Sequence, residues 1–184
     1  MTNSETSNKP SGGSVALDLL KDIVIAAIIA AAILFFIRPT VVKQTSMQST
    51  LNPNDYLIMY KRAYVHHQPE RGDIIIFQSQ LLDDRGKPKL LIKRVIGLPG
   101  DTITISDGQV YINGRAYDEP YLKDGYTTGQ IYNYTVPKGK YFVMGDNRVV
   151  SVDSRSDEVG PVSASSIKGR AVFRLYPFSK FGKI

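Results

Sequence analysis

A mostly antiparallel β domain behind one N-terminal transmembrane helix is the fold class this sequence predicts. Three observations carry it. Residues Ile23–Ile37 are 15 consecutive apolar positions. Beyond Pro39, short runs rich in β-branched and aromatic residues alternate with Gly, Asn, Asp and Pro, the pattern of strands and turns. No amphipathic helix of useful length appears there, and only Ser163–Ile167 suggests a single turn.

The elements follow in order. Residues 1–14 are polar and rich in Ser, Gly and Asn, which reads as a disordered tail. Residues 15–37 form the apolar element: a spanning helix needs about 20 residues, and extension back through Leu17, Leu19 and Leu20 supplies them. Asp18, Lys21 and Asp22 then sit near one end, where an interface tolerates charge. Two other readings stand beside the anchor. A cleaved signal peptide has an apolar stretch of this length, but the basic segment that should precede it is missing. A buried core helix is the other, although a helix with no polar face suits lipid better. Lys9 and Lys21 before the span balance Arg38 and Lys43 after it, so the positive-inside rule sets no orientation.

Residues 38–184 read as β. Strands are expected at Asp55–Tyr60, Asp73–Phe77, Leu90–Ile96, Thr102–Ile105, Gln109–Ile112, Tyr141–Met144 and Ala171–Leu175. Ser106-Asp107-Gly108 and Asn113-Gly114 are hairpin turn signals. Gln78–Lys89, with Asp83-Asp84-Arg85-Gly86-Lys87-Pro88 inside it, is a hairpin extension or loop. Tyr176 is expected in the core; Phe178 and Phe181 fit either core or lipid.

Composition narrows the chemistry. The 184 residues include no cysteine, which removes disulfides, thiolate metal sites and a cysteine nucleophile. The only histidines are the adjacent His66 and His67, so a three-histidine metal site is excluded. No cofactor or metal is expected. Net charge is +6, and with Lys9, Lys21, Glu5, Asp18 and Asp22 set aside residues 38–184 keep 21 basic and 14 acidic side chains. A basic domain on an anchor suits anionic lipid. Its cations are scattered, so no nucleic-acid partner is expected.

Three segments hold candidate chemistry: Gln44–Leu51, Lys93–Asp101 and Gly145–Arg155. Period-2 alternation puts Lys93 on a face with Leu91 and Val95, and Arg94 on the other with Ile92 and Ile96. One of the two basic residues must therefore face the core unless the strand is an edge. Lysine can lose its proton when buried; arginine keeps its charge. At pH 7 an ordinary lysine is neutral about 0.04% of the time. Bringing its pKa to 7 takes about 3.4 units, or about 4.6 kcal/mol, within the reach of burial. A serine beside such an amine has a base.

Together these segments resemble the bacterial type I signal peptidases, or leader peptidases. The family pattern is an anchor, then Ser-Met-x-Pro-Thr-Leu, Lys-Arg-Val-Ile-Gly-x-Pro-Gly-Asp and Gly-Asp-Asn-Arg-x-x-Ser-x-Asp-Ser-Arg. Here these are Ser46–Leu51, Lys93–Asp101 and Gly145–Arg155, in that order. Arg71–Phe77 and Arg174–Phe178 are lesser matches. Ser49 replaces the family proline, which should loosen the turn after Ser46.

The resemblance implies a small barrel-like core of antiparallel sheets and a bacterial plasma-membrane enzyme. It implies a single pass, a cytoplasmic N-terminus, an extracytoplasmic catalytic domain and secreted preproteins as partners. It makes Ser46 the nucleophile and Lys93 the general base. The Ser46 amide, with Gln44, would supply the oxyanion donors, and Ser151 would orient Lys93. Asp146, Asn147, Asp153 and Arg155 would form a supporting network. Val41, Val42, Met47, Leu91 and Ile92 would contact substrate. Two alternatives remain: an inactive homologue that binds signal peptides or partner proteins without cutting, and a self-cleaving Ser-Lys protein.

Overall fold

The structure, a computed structural model, describes residues 12–184, with side chains from residue 16 onward. It divides into two units, residues 1–36 and 37–184. The first holds one helix, α1 (Gly12–Phe36). Residues Ala16–Phe36 have a mean hydropathy of 2.5 and none is buried. Those 21 residues extend about 32 Å, long enough to cross a bilayer core of about 30 Å. The described side chains of α1, from Ala16 to Phe36, are all exposed, as a lipid-facing helix requires and a buried core helix does not. It begins at Gly12, inside the segment read as a tail, whose first 11 residues lie outside the described residues.

The second unit is built of antiparallel strands in two sheets, and two 3₁₀ turns (Ala164–Ser166 and Phe178–Lys180) are its helical content. In chain order the strands are β1 (Ile37–Val41), β2 (Tyr56–Tyr60), β3 (Ile74–Leu82), β4 (Pro88–Gly97), β5 (Thr102–Ser106) and β6 (Gln109–Ile112). There follow β7 (Arg115–Ala116), β8 (Ile131–Thr135), β9 (Lys140–Met144), β10 (Val162–Ser163), β11 (Ile167–Tyr176) and β12 (Gly182–Lys183). The large sheet runs β1-β2-β11-β3-β4-β9-β10, with β12 also paired to β11; the small one runs β7-β6-β5-β8. β1 and β10 are edges, so the sheet does not close into a barrel.

The chain leaves α1 one residue earlier than expected. Ile37 is already paired with Tyr60. A proline disfavours helical backbone in the residue before it, and Pro39 is tolerated in β1 because β1 is an edge strand. The polar stretch after Phe77 is a hairpin extension: β3 and β4 continue on either side of a turn. There Asp83 Oδ1 accepts the N–H groups of Arg85 and Lys87, each at 2.9 Å. The two predicted hairpin turns carry positive φ at both central residues, Asp107-Gly108 and Asn113-Gly114, as a two-residue hairpin favours. β1 and β8 were not foreseen, nor were the two-residue strands β7, β10 and β12.

The core has three clusters. Ile74 and Ile76 of β3 pack with Val42, Met47, Leu51, Leu57 and Met59. Ile75 and Phe77, pointing the other way, pack with Leu91, Val95, Tyr141 and Val143. β3 is therefore buried on both faces, which is why its sequence is a continuous apolar run rather than an alternation. The third cluster joins the sheets: Ile96, Phe142 and Met144 meet Ile103, Ile105 and Val110. Tyr176 is not in the core; it is 49% exposed and meets Tyr56 and Phe178 edge-on.

Gly97 sits where the sheets join. A Cβ there would stand 2.9 Å from Ile103 and 3.0 Å from both Phe142 and Val136. Overpacking of this kind costs about 1–3 kcal/mol. Gly97→Ala should therefore lower the thermal midpoint of the full chain in detergent by several degrees.

Candidate active site

The site forms where the large sheet loses a strand. β9 pairs with β4 only at Arg94, Val95 and Gly97. Past Met144 the chain turns away as Gly145-Asp146-Asn147 and crosses the segment that carries Ser46. The Asn147 N–H donates to the Ser46 carbonyl at 3.0 Å, and its side-chain amide donates to the Thr45 carbonyl at 3.2 Å. Gly145 is required by close approach: a Cβ there would lie 2.4 Å from the Ser46 carbonyl oxygen and 2.3 Å from Ser151 Oγ.

Lys93 leaves the middle of β4, opposite Ile75 of β3, and is 1% exposed. Its Nζ lies 2.6 Å from Ser46 Oγ. Burial drives the Lys93 pKa down; Asp153 and Asp146 pull it part of the way back, Arg155 pushes it lower, and it settles at about 8. At pH 7 roughly a tenth of such an amine is neutral. That is more than two hundred times the ordinary fraction, and it is reached without the full shift to 7. A neutral amine in contact with a hydroxyl can take its proton.

Two buried ion pairs flank the amine. Arg155 holds Asp153 through Nε at 2.8 Å and Nη2 at 2.9 Å, and Gly145 N–H donates to the same carboxylate at 3.0 Å. Burial alone would raise the Asp153 carboxyl; these contacts outweigh it and hold it below the usual range. Arg155 also donates to the Thr128, Arg148 and Ser151 carbonyls. Asp146 does not join this pair. Arg94 grips it with two bonds, at 2.9 and 2.7 Å, while stacking over the Tyr121 ring at 3.9 Å. The expected single network of Asp146, Asp153 and Arg155 is thus two separate pairs.

The remaining expected residues are spread as follows. Ser151 Oγ is buried and has no hydrogen-bond partner among the described residues, so it makes no bond to Lys93; it lies near enough to Asp153 to help keep that carboxylate ionised. Gln44 is exposed. Val41, Val42, Gln44, Met47, Leu91 and Ile92 all line one groove of about 720 Å³ that reaches Ser46. Met59 and Ile76, not anticipated, add to its apolar wall. The groove runs along β4 where β9 no longer covers it, so strand-edge backbone faces it. Ser49 Oγ donates to the Tyr121 carbonyl at 2.8 Å, which ties down the turn that the missing proline was expected to loosen. Arg94, Arg148 and Glu119 were given no role in the sequence reading, although parity marks Arg94 as one of two inward candidates. Arg148 is 2% exposed, donates to the Gly145 carbonyl at 2.9 Å and pairs with Glu119. Glu119, far away in sequence, carried no signal.

A hydroxyl and a desolvated amine in contact beside an open groove can supply a nucleophile and a base. The family match and the sequence relatives identify the chain as a hydrolase. The family described as signal peptidase, peptidase S26, matches residues 16–176. Signal peptidase I of Bacillus licheniformis is 36% identical over 193 residues, covering 100% of this chain and 99% of that protein. Signal peptidase I P of Bacillus subtilis subsp. natto is 40% identical over 180 residues, covering 92% and 94%. A crystal structure of a signal peptidase I from Enterococcus faecalis V583 is 37% identical and covers 56% of this chain and 96% of that one, at a TM-score of 0.46. The chain belongs to the type I signal peptidases of peptidase family S26.

Burying Lys93 should cost stability. Between pH 8 and 10.5 the unfolded chain holds a proton on this lysine that the folded chain has lost, so stability rises with pH across that window. Lys93→Met should raise the unfolding free energy at pH 7 by roughly 2 kcal/mol. The gain should shrink as the pH approaches 10.5, read by thermal unfolding in detergent.

Proposed function

We propose that the chain is a membrane-anchored endopeptidase that removes signal peptides from secreted preproteins, with Ser46 as nucleophile and Lys93 as general base. The observation that carries this is the 2.6 Å contact between Lys93 Nζ and Ser46 Oγ inside a desolvated pocket. Ser46 Oγ attacks the scissile carbonyl as its proton passes to Lys93 Nζ. The Ser46 N–H, which makes no hydrogen bond to a described residue, donates to the oxyanion, with the Gln44 amide as second donor. Collapse expels the amine of the mature chain, which takes the proton from Lys93. A water, deprotonated by Lys93, then releases the signal peptide from the Ser46 ester.

The peptide enters as an added strand between the Val41–Gln44 segment and the uncovered edge of β4. Val42, Met47, Leu91 and Ile92 give the groove shallow apolar walls that admit small side chains one and three residues before the cut. Ser151 holds the amine in place once substrate excludes water, and Asp153–Arg155 and Asp146–Arg94 keep the surrounding loops fixed. The helix α1 is the anchor, with the N-terminus cytoplasmic and the β unit outside. No cofactor or metal takes part. The hydrogen bond from Ser49 Oγ to the Tyr121 carbonyl supports the active reading over an inactive homologue, because it ties down the turn after Ser46.

Cleavage of a purified preprotein by the full chain in detergent tests this. The parent should cut after a small-x-small sequence, and Ser46→Ala and Lys93→Ala should each lose at least about 10³-fold in kcat/KM. Since the base acts unprotonated, kcat/KM should rise with pH and level off above an apparent pKa near 8. A parent that binds preprotein without cutting it supports the inactive-homologue reading instead.

A further inference from the structure

The groove that ends at Ser46 is apolar along its walls and cationic along its rim. Four cations line it, Arg38, Lys43, Lys87 and Lys89, against one carboxylate, Asp83. None of the four forms an ion pair with a described residue. The six ion pairs among the described residues use Arg71, Arg94, Arg148, Arg155, Arg170 and Arg174. Asp83 is committed to its own turn, where it accepts two backbone N–H groups at 2.9 Å. The rim therefore presents uncompensated positive charge to whatever enters, and a concave surface concentrates that field.

Register says where along an entering strand the charge falls. Lys89 lies on β4 four residues before Lys93 and shares its parity, so the two side chains leave the same face of the strand about 13 Å apart. Lys87 lies two residues further back at the hairpin turn. Lys43 approaches from the opposite wall, three residues before Ser46. An extended peptide whose scissile bond meets Ser46 passes Lys89 and Lys87 roughly four to seven residues upstream of the cut.

We propose that this rim is a second specificity determinant: the groove favours acidic side chains, and disfavours basic ones, about four to seven residues before the cleaved bond. The inference rests on Ser46 being the reacting centre. A peptide is favoured over lipid headgroups as the anionic partner because the cations stand on the groove that reaches Ser46, not on a separate face.

The experiment uses the full chain in an uncharged detergent. Matched peptides carry Glu, Gln or Lys five residues before a small-x-small site. KM is measured for the parent, and Kd for Ser46→Ala by fluorescence anisotropy, so binding is read even if cleavage fails. Glu should bind roughly three- to tenfold tighter than Lys, with kcat little changed and the preference collapsing in high salt. Lys87→Gln with Lys89→Gln should abolish the preference, and Lys87→Arg with Lys89→Arg should restore it. Equal binding of all three peptides, or a preference that survives the glutamine pair, overturns the proposal. If peptide charge has no effect while the glutamine pair loses binding to phosphatidylglycerol vesicles but not phosphatidylcholine ones, the cations serve lipid and the proposal is also overturned. Uncut peptides that still bind with the charge preference would remove the catalytic reading while keeping the rim.

Discussion

Everything at this site depends on one desolvated amine. Lys93 is held out of water in the middle of a sheet, and its only side-chain hydrogen bond among the described residues is to Ser46 Oγ. An ammonium in that position is expensive, and the fold lowers the expense by letting the proton leave more easily. The same burial that weakens the folded state raises the share of neutral amine beside Ser46, which is what the proposed general base requires. Stability and reactivity are set against each other at a single side chain, as is common where a site needs an unusual protonation state.

The surrounding charges show how that balance is kept. Full neutralisation by a carboxylate would return Lys93 to its ordinary pKa and remove the base. Asp153 and Asp146 are close enough to raise the amine, but each is bound to an arginine of its own, Arg155 and Arg94. The carboxylates therefore stay ionised and buried without capturing the lysine. Their arginines reach outward to the carbonyls of Thr128, Arg148, Ser151 and Gly72, so the ion pairs also lock the loops that hold Gly145 against Ser46. Glycine at 145 lets the loop pass within contact of the serine backbone; the charge network makes it stay there.

Much of this was legible in the chain. Strand runs such as Gln109–Ile112 stood out because turn residues bracket them, and Asp107-Gly108 and Asn113-Gly114 adopt the left-handed backbone that such pairs permit. Ser46 and Lys93 were singled out because their motifs are compact, and parity alone marked Lys93 or Arg94 as inward. Other features left weaker marks. β1 hid at the end of the apolar run, with Pro39 at its centre, and its strand character comes from pairing with β2 rather than from its own residues. β8 is half exposed and lacks a clean alternation. The division of Asp146 and Asp153 between two arginines depends on which loop crosses which strand. The Glu119–Arg148 pair joins positions far apart in sequence. Both are tertiary facts with no local signature.

The central claim is that burial, not a neighbouring charge, makes Lys93 a base. Its most direct test is the titration of that one amine by NMR in full-length chain carrying ¹³Cε-labelled lysine, with the resonance assigned by its absence in Lys93→Met. The account predicts a midpoint near 8, well below the value of about 10.4 that an ordinary lysine has in water. A Lys93 midpoint near 10.4 would contradict it, because the amine would then be as poor a base at neutral pH as any lysine in water.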